Sequence, residues 1–191
     1  MREGFFSEAV RNKAFSTAGV QKGKIAADIG AGTGFITEGL IRNGLKVIAV
    51  DQSEAMLAEM RRKFARVEGI DYCLGKAEKL PIPDEAVDYT FANMYLHHVK
   101  LPLKAIKEMV RILKPGGKLV ITDMDEHTFE FLREEHHDRW MGFNREEIRQ
   151  WFGEAGLKNV IVDCVDESCC TQSRCGGEYA SISIFVASGE K

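Results

Sequence analysis

The chain has no excess of positive charge and no long hydrophobic run. Its 191 residues carry 26 Lys and Arg against 29 Asp and Glu, which gives a net charge of −3 and a pI near 6.0. Without a basic field to concentrate a polyanion, nucleic acid is excluded as a general partner. Residues 1–15 scatter charges where a signal peptide would be apolar, and no later run approaches a membrane span. We therefore expect a cytoplasmic protein with no membrane partner.

Internal repeats, low-complexity tracts and Pro/Gly/Ser linkers are also missing, so residues 1–191 are expected to form a single domain. With 45% hydrophobic and 29% charged residues, the composition is that of a folded globular protein rather than a disordered one. The five cysteines are an odd number in a chain without an export signal. They are expected to be thiols, ligands or catalytic groups rather than a disulfide framework. Nothing in the sequence defines an oligomeric state.

Short apolar runs alternate with segments of helical period. The runs that predict strands are 24–29, 46–50, 70–74, 87–93, 118–122, 160–165 and 179–187. The segments that predict helices are 35–45, 54–64, 103–113 and 144–155, with residues 1–21 as an N-terminal helix or cap. In the second of these helices, Met56, Leu57, Met60 and Phe64 are expected on one apolar stripe. This alternation predicts an α/β fold, doubly wound and mostly parallel, which binds ligands beyond the carboxyl ends of its strands.

A glycine-rich loop follows the first predicted strand. Gly30, Gly32 and Gly34 alternate along it, and Asp28 comes two residues before the first of them. Such glycines allow a tight turn and let a ligand lie on the backbone, although a turn alone is the simpler interpretation. Asp51 ends the second strand, where a carboxylate can accept hydrogen bonds from both hydroxyls of an adenosine ribose. Loop and acid together favour an adenosine-containing ligand.

The glycine spacing argues against a nicotinamide dinucleotide. The dinucleotide fingerprint needs a glycine or alanine at its sixth position, where this chain has Phe35. In addition, a carboxylate at Asp28 suits a cationic amino group better than a pyrophosphate. A nicotinamide oxidoreductase is therefore only the third hypothesis for the function.

Five segments, in order and spacing, resemble the motifs of class I S-adenosylmethionine (SAM)-dependent methyltransferases. They are residues 28–34 (DIGAGTG), 50–57 (VDQSEAML), 75–81 (GKAEKLP), 93–99 (NMYLHHV) and 113–117 (LKPGG). The resemblance covers residues 22–122, and the whole chain looks like a small stand-alone member. It implies a Rossmann-like, seven-stranded sheet whose last strand is antiparallel, with S-adenosyl-L-methionine as the cofactor.

The resemblance also implies where the cofactor binds. The glycine loop, with Gly30, Ala31, Gly32, Thr33 and Gly34, would lie against the methionine part, and Asp28 near its amino group. The remaining residues would contact the ribose (Asp51), the adenine (Gln52, Met56, Ala77 and Glu78) and the region of the sulfonium (Asn93). Many relatives have an acidic residue where this chain has Lys76, so the usual carboxylate to the adenine amino group is either missing here or supplied by Glu78.

Methyl transfer from a sulfonium depends mainly on aligning the reactants, so the small-molecule acceptor must be inferred from the residues on the methyl side. His98, after the fourth strand, is a candidate catalytic residue, and capping of the local turn is the simpler interpretation for it and for His97. Asp123, Asp125, Glu126 and His127 follow the fifth strand, either at the acceptor or in a solvated loop. Residues 123–143 form a possible lid, with a charged helical segment at 134–140 and with Trp140 and Phe143 docked.

Four of the five cysteines lie close together near the end of the chain. Cys164, Cys169, Cys170 and Cys175 fall in the predicted connection 163–177, with the Cys-rich loop at 166–177, whereas Cys73 is expected in the core. Three of them, Cys169, Cys170 and Cys175, are candidate catalytic residues that could hold a soft acceptor such as a thiol or trivalent arsenic. A structural zinc and incidental surface thiols are the alternatives, and no metal site is predicted.

The leading hypothesis is a SAM-dependent methyltransferase acting on a small molecule. The alternative is a thiol-based metal- or metalloid-binding protein on a methyltransferase fold, against which the intact glycine loop and Asp51 argue.

Overall fold

In the computed structural model, which describes residues 7–136, 138–172 and 179–191, seven strands form one sheet between two layers of helices. The strands are β1 (Ile25–Ile29), β2 (Lys46–Asp51), β3 (Ile70–Leu74), β4 (Val87–Asn93), β5 (Leu113–Met124), β6 (Lys158–Gln172) and β7 (Tyr179–Glu190). The helices are α1 (Glu8–Ala18), α2 (Phe35–Arg42), α3 (Glu54–Lys63), α4 (Pro102–Arg111), α5 (Glu130–His136) and α6 (Arg145–Glu154), with a 3-10 turn at Leu96–His98.

The strand order is β3-β2-β1-β4-β5-β7-β6. Strands β1 to β5 pair in parallel, β7 is antiparallel to β5, and β6 is antiparallel to β7. The predicted Rossmann-like, doubly wound sheet with an antiparallel last strand is therefore confirmed. Because β1, β2 and β4 run in the same direction, the residues that follow them meet at one edge of the sheet.

The two largest hydrophobic clusters of the described residues lie on opposite faces of the sheet, and a smaller one packs α3 on β2. One face buries Ile106 and Met109 of α4 and Phe152 of α6, and the other buries Phe15 of α1 and Leu40 of α2. Strands covered on both faces are buried at nearly every position, which explains why β1 is apolar except at Asp28 and why most positions of β4 are buried.

Capping residues define the helix starts that the sequence predicted. The Ser53 hydroxyl accepts a hydrogen bond from Met56 N of α3, and the Asn144 side chain accepts one from Glu146 N of α6. Met56 departs from the predicted apolar stripe of α3, since it is 43% exposed while Leu57 and Met60 are fully buried.

The largest correction concerns the end of the chain. The predicted loop 166–177 is strand as far as Gln172, and paired positions run from Ser168↔Ser183 to Gln172↔Tyr179 beyond an irregularity after Cys164. Since β6 is an edge strand, its outward residues are polar and the alternation that identifies a strand is weak. Strand β7 keeps the alternation of buried and exposed side chains, with Ala180 and Ile182 buried and Ser181 exposed.

Residues 123–143 also differ from a solvated loop. Asp123 ends fully buried in β5, His127 is buried, and Asp125 receives two hydrogen bonds from the Arg145 guanidinium. Trp140 donates from Nε1 to the Val99 carbonyl at 2.8 Å, and Phe143 is buried, so both dock as expected. A lid function stays a prediction. Across the described ranges, no helix has the length and apolar character needed to cross a membrane.

Candidate functional site

A cavity of about 330 Å³ opens where β1, β2 and β4 end. Its wall combines backbone and polar groups with apolar side chains. The lining residues are Asp28, Gly30, Ala31, Gly32, Thr33, Phe35, Ile36, Asp51, Gln52, Ser53, Met56, Asn93, Met94, Tyr95 and His98. Most of the predicted cofactor residues are thus brought to one place by three separate strand ends.

Asp28 is held at the base of the cavity by the start of α2. One of its oxygens, Oδ2, accepts hydrogen bonds from Thr37 N at 2.9 Å and from Thr37 Oγ1 at 2.6 Å. Burial raises the pKa of Asp28 to about 6; the Thr37 bonds oppose this shift and the nearby Asp51 charge adds to it. Above that pH the carboxylate is a buried anion facing the cavity, which suits a cationic ligand group.

Asp51 is fixed by the backbone on both sides. Oδ2 accepts from Gly32 N and Oδ1 from Ser53 N, both at 2.8 Å. Each carboxylate oxygen has a further lone pair, so both can still accept a hydroxyl. The carboxylate therefore links the glycine loop to the end of β2 and presents a two-oxygen acceptor to the cavity.

Tyr95 is the main lining residue that the sequence did not single out. A Cβ at Gly30, which has φ +72°, would lie 2.2 Å from Cγ of the Tyr95 ring. The ring thus packs on the loop backbone where only glycine fits. Burial, with the charges of Asp51 and Glu78, raises the pKa of the Tyr95 phenol to about 12, against the effect of its hydrogen bond to the Ala77 backbone. Its place two residues after Asn93, in a strand-end motif, is the signal that could have identified it.

Three predicted cofactor residues lie outside the cavity lining. Gly34 has φ +86° and a Cβ there would lie 2.5 Å from the Phe64 ring, so this glycine lets α2 begin against α3. Ala77 is buried, and its backbone forms a hydrogen bond with the Tyr95 phenol. The charge of Glu78 helps to raise the pKa of the same phenol. Asn93 does line the cavity, where its Oδ1 accepts from Thr122 Oγ1 at 2.7 Å.

His98 lines the cavity and is the half-buried member of a group of polar residues that are otherwise buried. Its neighbour His97 is 1% exposed, and His97 Nδ1 lies 2.7 Å from Oδ1 of the fully buried Asp123. Asp138 joins from the segment after α5, with Oδ1 3.7 Å from His97 Nε2 and 3.5 Å from His98 Nδ1. The rings of the two histidines lie 4.1 Å apart. We use the name polar cluster for His97, His98, Asp123, His127 and Asp138.

His127 completes the polar cluster. Its Nδ1 accepts a hydrogen bond from Phe129 N at 3.3 Å, and burial lowers the pKa of the imidazole against the opposing charge of Asp138. His127 Nε2 and Asp138 Oδ1 are buried without a hydrogen-bond partner among the described residues. The sequence pointed to His97 and His127 singly, but Asp138 was placed in a solvated helix and its meeting with them was not predicted.

The structure does not bring the described cysteine side chains into the cavity lining. Cys170 lies on the edge strand β6, with Sγ 3.7 Å from Ser181 Oγ, and Cys73 packs at the margin of the core. Cys175 and the side chain of Cys169 lie outside the described residues. A catalytic role of the three cysteines therefore stays a prediction.

The fold and the cavity define a class of protein: an α/β protein of the nucleotide-cofactor-binding type, with a glycine loop and a strand-end carboxylate. Comparison with known proteins is more specific. A family model described as a methyltransferase domain matches residues 27–121. The demethylmenaquinone methyltransferase of Staphylococcus aureus is 31% identical over 182 residues, covering 80% of this chain and 75% of that protein.

Two further proteins that resemble this chain match it over different fractions of their own length. The chloroplastic 2-methyl-6-phytyl-1,4-hydroquinone methyltransferase 2 of Oryza sativa is 33% identical over 161 residues, covering 82% of this chain and 46% of that protein. The YcgJ protein of Bacillus subtilis superimposes with a TM-score of 0.80 at 17% identity, covering 97% and 99% of the two chains, which shows the shared fold. The chain spans about half the length of several curated relatives that it matches.

The chain belongs to the SAM-dependent methyltransferases. The predicted family, its enzyme class and its cofactor, S-adenosyl-L-methionine, are thereby confirmed.

Proposed function

We propose that this chain transfers the methyl group of SAM to a small hydroxylated aromatic acceptor of the hydroquinone type. The observation that carries the proposal is the composition of the cavity. Beside the polar groups of the glycine loop and Asp51, it has an apolar wall of Phe35, Ile36, Met94 and Tyr95. Aromatic and aliphatic side chains of this kind suit a flat apolar ring, and few polar groups are needed to orient it.

His98 is the side chain that we propose to meet the acceptor hydroxyl. It lines the same cavity, its side chain is 31% exposed, and Asp138 lies behind it at 3.5 Å. In the reaction, a ring carbon or oxygen of the acceptor forms a bond to the methyl carbon while the methyl–sulfur bond breaks. The products are the methylated acceptor, S-adenosylhomocysteine (SAH) and a proton. The enzyme's main contribution would be alignment of the two reactants in a partly desolvated cavity.

Relatives support this acceptor class over a soft one. The names of the relatives from Staphylococcus aureus and Oryza sativa refer to a quinone and a hydroquinone. Cys170, by contrast, is outside the cavity lining. A thiol or trivalent arsenic, the acceptors that the cysteines suggest, therefore has the weaker support.

The test is an acceptor screen that measures SAH formation with hydroquinones, catechols, amines, thiols and arsenite. We expect turnover with the hydroxylated aromatics, a kcat at least tenfold lower in His98→Ala, and little change when Cys169, Cys170 and Cys175 are all replaced with Ser. Calorimetry with SAH on each variant separates loss of cofactor binding from loss of acceptor chemistry. Turnover of arsenite or thiols alone, abolished in the triple Ser variant, would refute the proposal in favour of the cysteine hypothesis.

A further inference from the structure

We propose that His97, His98 and Asp138 form a binding site for one divalent transition-metal ion of the zinc type, at the wall of the cofactor cavity. The site was not predicted from the sequence. Its three donors come from the 3-10 turn after β4 and from the segment between α5 and α6. Metal binding itself is independent of the proposed acceptor.

The distances between the donor atoms fit such an ion. One donor atom from each of the three residues lies within 4.8 Å of the other two. Asp138 Oδ1 is 3.7 Å from His97 Nε2 and 3.5 Å from His98 Nδ1. With zinc bonds of about 2.0–2.1 Å, the edge of a coordination tetrahedron is about 3.3–3.4 Å. The two distances to Asp138 exceed this edge by a few tenths of an ångström, so small side-chain movements would bring each imidazole and the carboxylate to a shared ion.

The hydrogen bond on the far nitrogen of His97 is of the kind that orients a metal-binding imidazole. The second nitrogen of His97, Nδ1, lies 2.7 Å from Asp123 Oδ1, which leaves Nε2 as the nitrogen directed at Asp138. A carboxylate on the far nitrogen fixes the ring orientation and makes a ligating imidazole more basic. The backbone holds Asp123 in turn, since Met124 N donates to the same oxygen at 2.8 Å.

Asp138 supplies a second, independent observation. Its side chain is 4% exposed, and Oδ1 has no hydrogen-bond partner within the described ranges. A buried carboxylate oxygen without a donor is costly, because burial removes its hydration. A cation between Asp138 and the two imidazoles would compensate for that loss.

The donor set selects the kind of ion. Two imidazoles and one carboxylate suit Zn²⁺, Co²⁺ or Fe²⁺, whereas Mg²⁺ and Ca²⁺ prefer oxygen ligands. Three protein ligands are typical of catalytic sites, in which a further position takes water or substrate. Since His98 lines the cavity, an acceptor hydroxyl could occupy that position and lose its proton to solvent more easily. This consequence, unlike the binding itself, rests on the proposed acceptor.

Cobalt provides the experimental probe. The full chain, stripped with a chelator and titrated with Co²⁺, is expected to bind one ion per chain with visible absorption bands, and Zn²⁺ should displace it. Asp138→Asn and His98→Gln should weaken the affinity more than about 100-fold, and Asp123→Asn by roughly 10–100-fold, as for loss of a hydrogen-bond partner of a ligand. His127→Gln is the matched control, a buried histidine of the same polar cluster outside the three ligands, and it should still bind one ion.

Two results would overturn the proposal. One is the absence of a bound ion, or equal affinity in the wild type and in Asp138→Asn or His98→Gln. The other is a thiolate-to-cobalt charge-transfer band that disappears when the cysteines are replaced with Ser, which would place the ion at the cysteines. Cooperative urea unfolding shows which variants are folded. If Asp138→Asn does not fold, His98→Gln, at a half-buried position, provides the test. Failure of SAH binding in the wild type would refute the proposed function while leaving the metal result intact.

Discussion

At the scale of single residues, burial of the Asp28 carboxylate lowers the stability of the folded chain. A carboxyl group that is 2% exposed carries a pKa raised to about 6, mainly because burial disfavours its charged form. The unfolded chain ionises this group near pH 3.8. The folded state therefore loses stability as the pH rises from about 4 through 6, and above pH 6 the whole penalty is present.

We predict that Asp28→Asn stabilises the protein at pH 7.5 and weakens cofactor binding. A shift of about two pKa units corresponds to roughly 3 kcal/mol, and the amide oxygen can still accept the Thr37 bonds. The gain should disappear as the pH falls towards 4. Urea unfolding at several pH values measures it, and SAH calorimetry measures the loss of affinity.

Asp71→Asn is the control for Asp28→Asn, because Asp71 is an exposed carboxylate on β3. It should change the free energy of unfolding by less than about 0.5 kcal/mol. An Asp28→Asn variant that is less stable than the wild type at pH 7.5 would contradict the argument.

A second prediction concerns Gly30. Gly30→Ala should cost roughly 2–4 kcal/mol, because the new Cβ meets the Tyr95 ring at 2.2 Å and the backbone is left-handed. Gly32→Ala, with φ +54° and no atom closer than 4.0 Å, should show only the backbone strain of about 1–2 kcal/mol. Chemical denaturation measures both.

Tyr95→Ala supplies the background that isolates the clash. With the ring removed, the cost of Gly30→Ala should fall to that of Gly32→Ala. If the two glycine substitutions cost the same while Tyr95 is present, the ring does not constrain the loop.

The sequence could predict those cavity-lining residues that belong to short motifs. Asp28, Asp51 and Asn93 each lie at or near the end of a strand, so the sequence places them at one edge of the sheet. Asp138 could not be found this way. It follows a charged segment that is typical of a solvated helix. The backbone hydrogen bonds from Arg139 N and Trp140 N to the His97 carbonyl, which hold this segment against the 3-10 turn, leave no signal in the sequence.

At the scale of elements, the hairpin of β6 and β7 extends the sheet past the end of β5. The last paired position of β5 is Met124↔Ile184, whereas β6 and β7 pair as far as Gln172↔Tyr179. Ala180 and Ile182 keep this extension on the core that contains Phe131 and Leu132 of α5. The extension therefore depends on a few inward side chains.

Ile182→Ala should cost about 2–5 kcal/mol, since a side chain that is 3% exposed leaves a cavity behind. Ser181→Ala, on the next and outward position of the same strand, should change stability by less than about 0.5 kcal/mol. Urea denaturation of the two variants gives the comparison. Equal effects would mean that the hairpin is not anchored by its inner face.

The helices and the parallel strands could be predicted because the spacing of their apolar residues follows directly from which side chains are buried. The predicted helix starts at residues 54 and 144 agree with those of α3 and α6 to within one residue, and the limits of β3 and β4 agree with the sequence pattern. The hairpin could not be predicted to its full length. Its outer strand has solvent on one edge, and ladder hydrogen bonds, which leave no trace in side-chain type, extend it to Gln172.

At the scale of the whole molecule, the parallel sheet converts positions that are distant along the chain into one cavity. Strand ends deliver the glycine loop, Asp51 and the turn that contains His98, while the segment before α6 returns Asp138 to the same edge. A ligand that binds across these parts stabilises all of them together. Its effect should therefore appear in the global unfolding transition.

We predict that SAH raises the melting temperature and that NADH does not. At a ligand concentration 100 times its dissociation constant, binding to the folded state adds about 2.7 kcal/mol. For a domain of this size that corresponds to roughly 5–10 °C. NADH does not fit the glycine loop, because Phe35 occupies the position where a dinucleotide site needs a small residue. In Asp51→Ala the SAH shift should be lost, since the ribose acceptor is removed. A shift with NADH as large as that with SAH, measured by scanning calorimetry at equal concentrations, would contradict the assignment of the cavity.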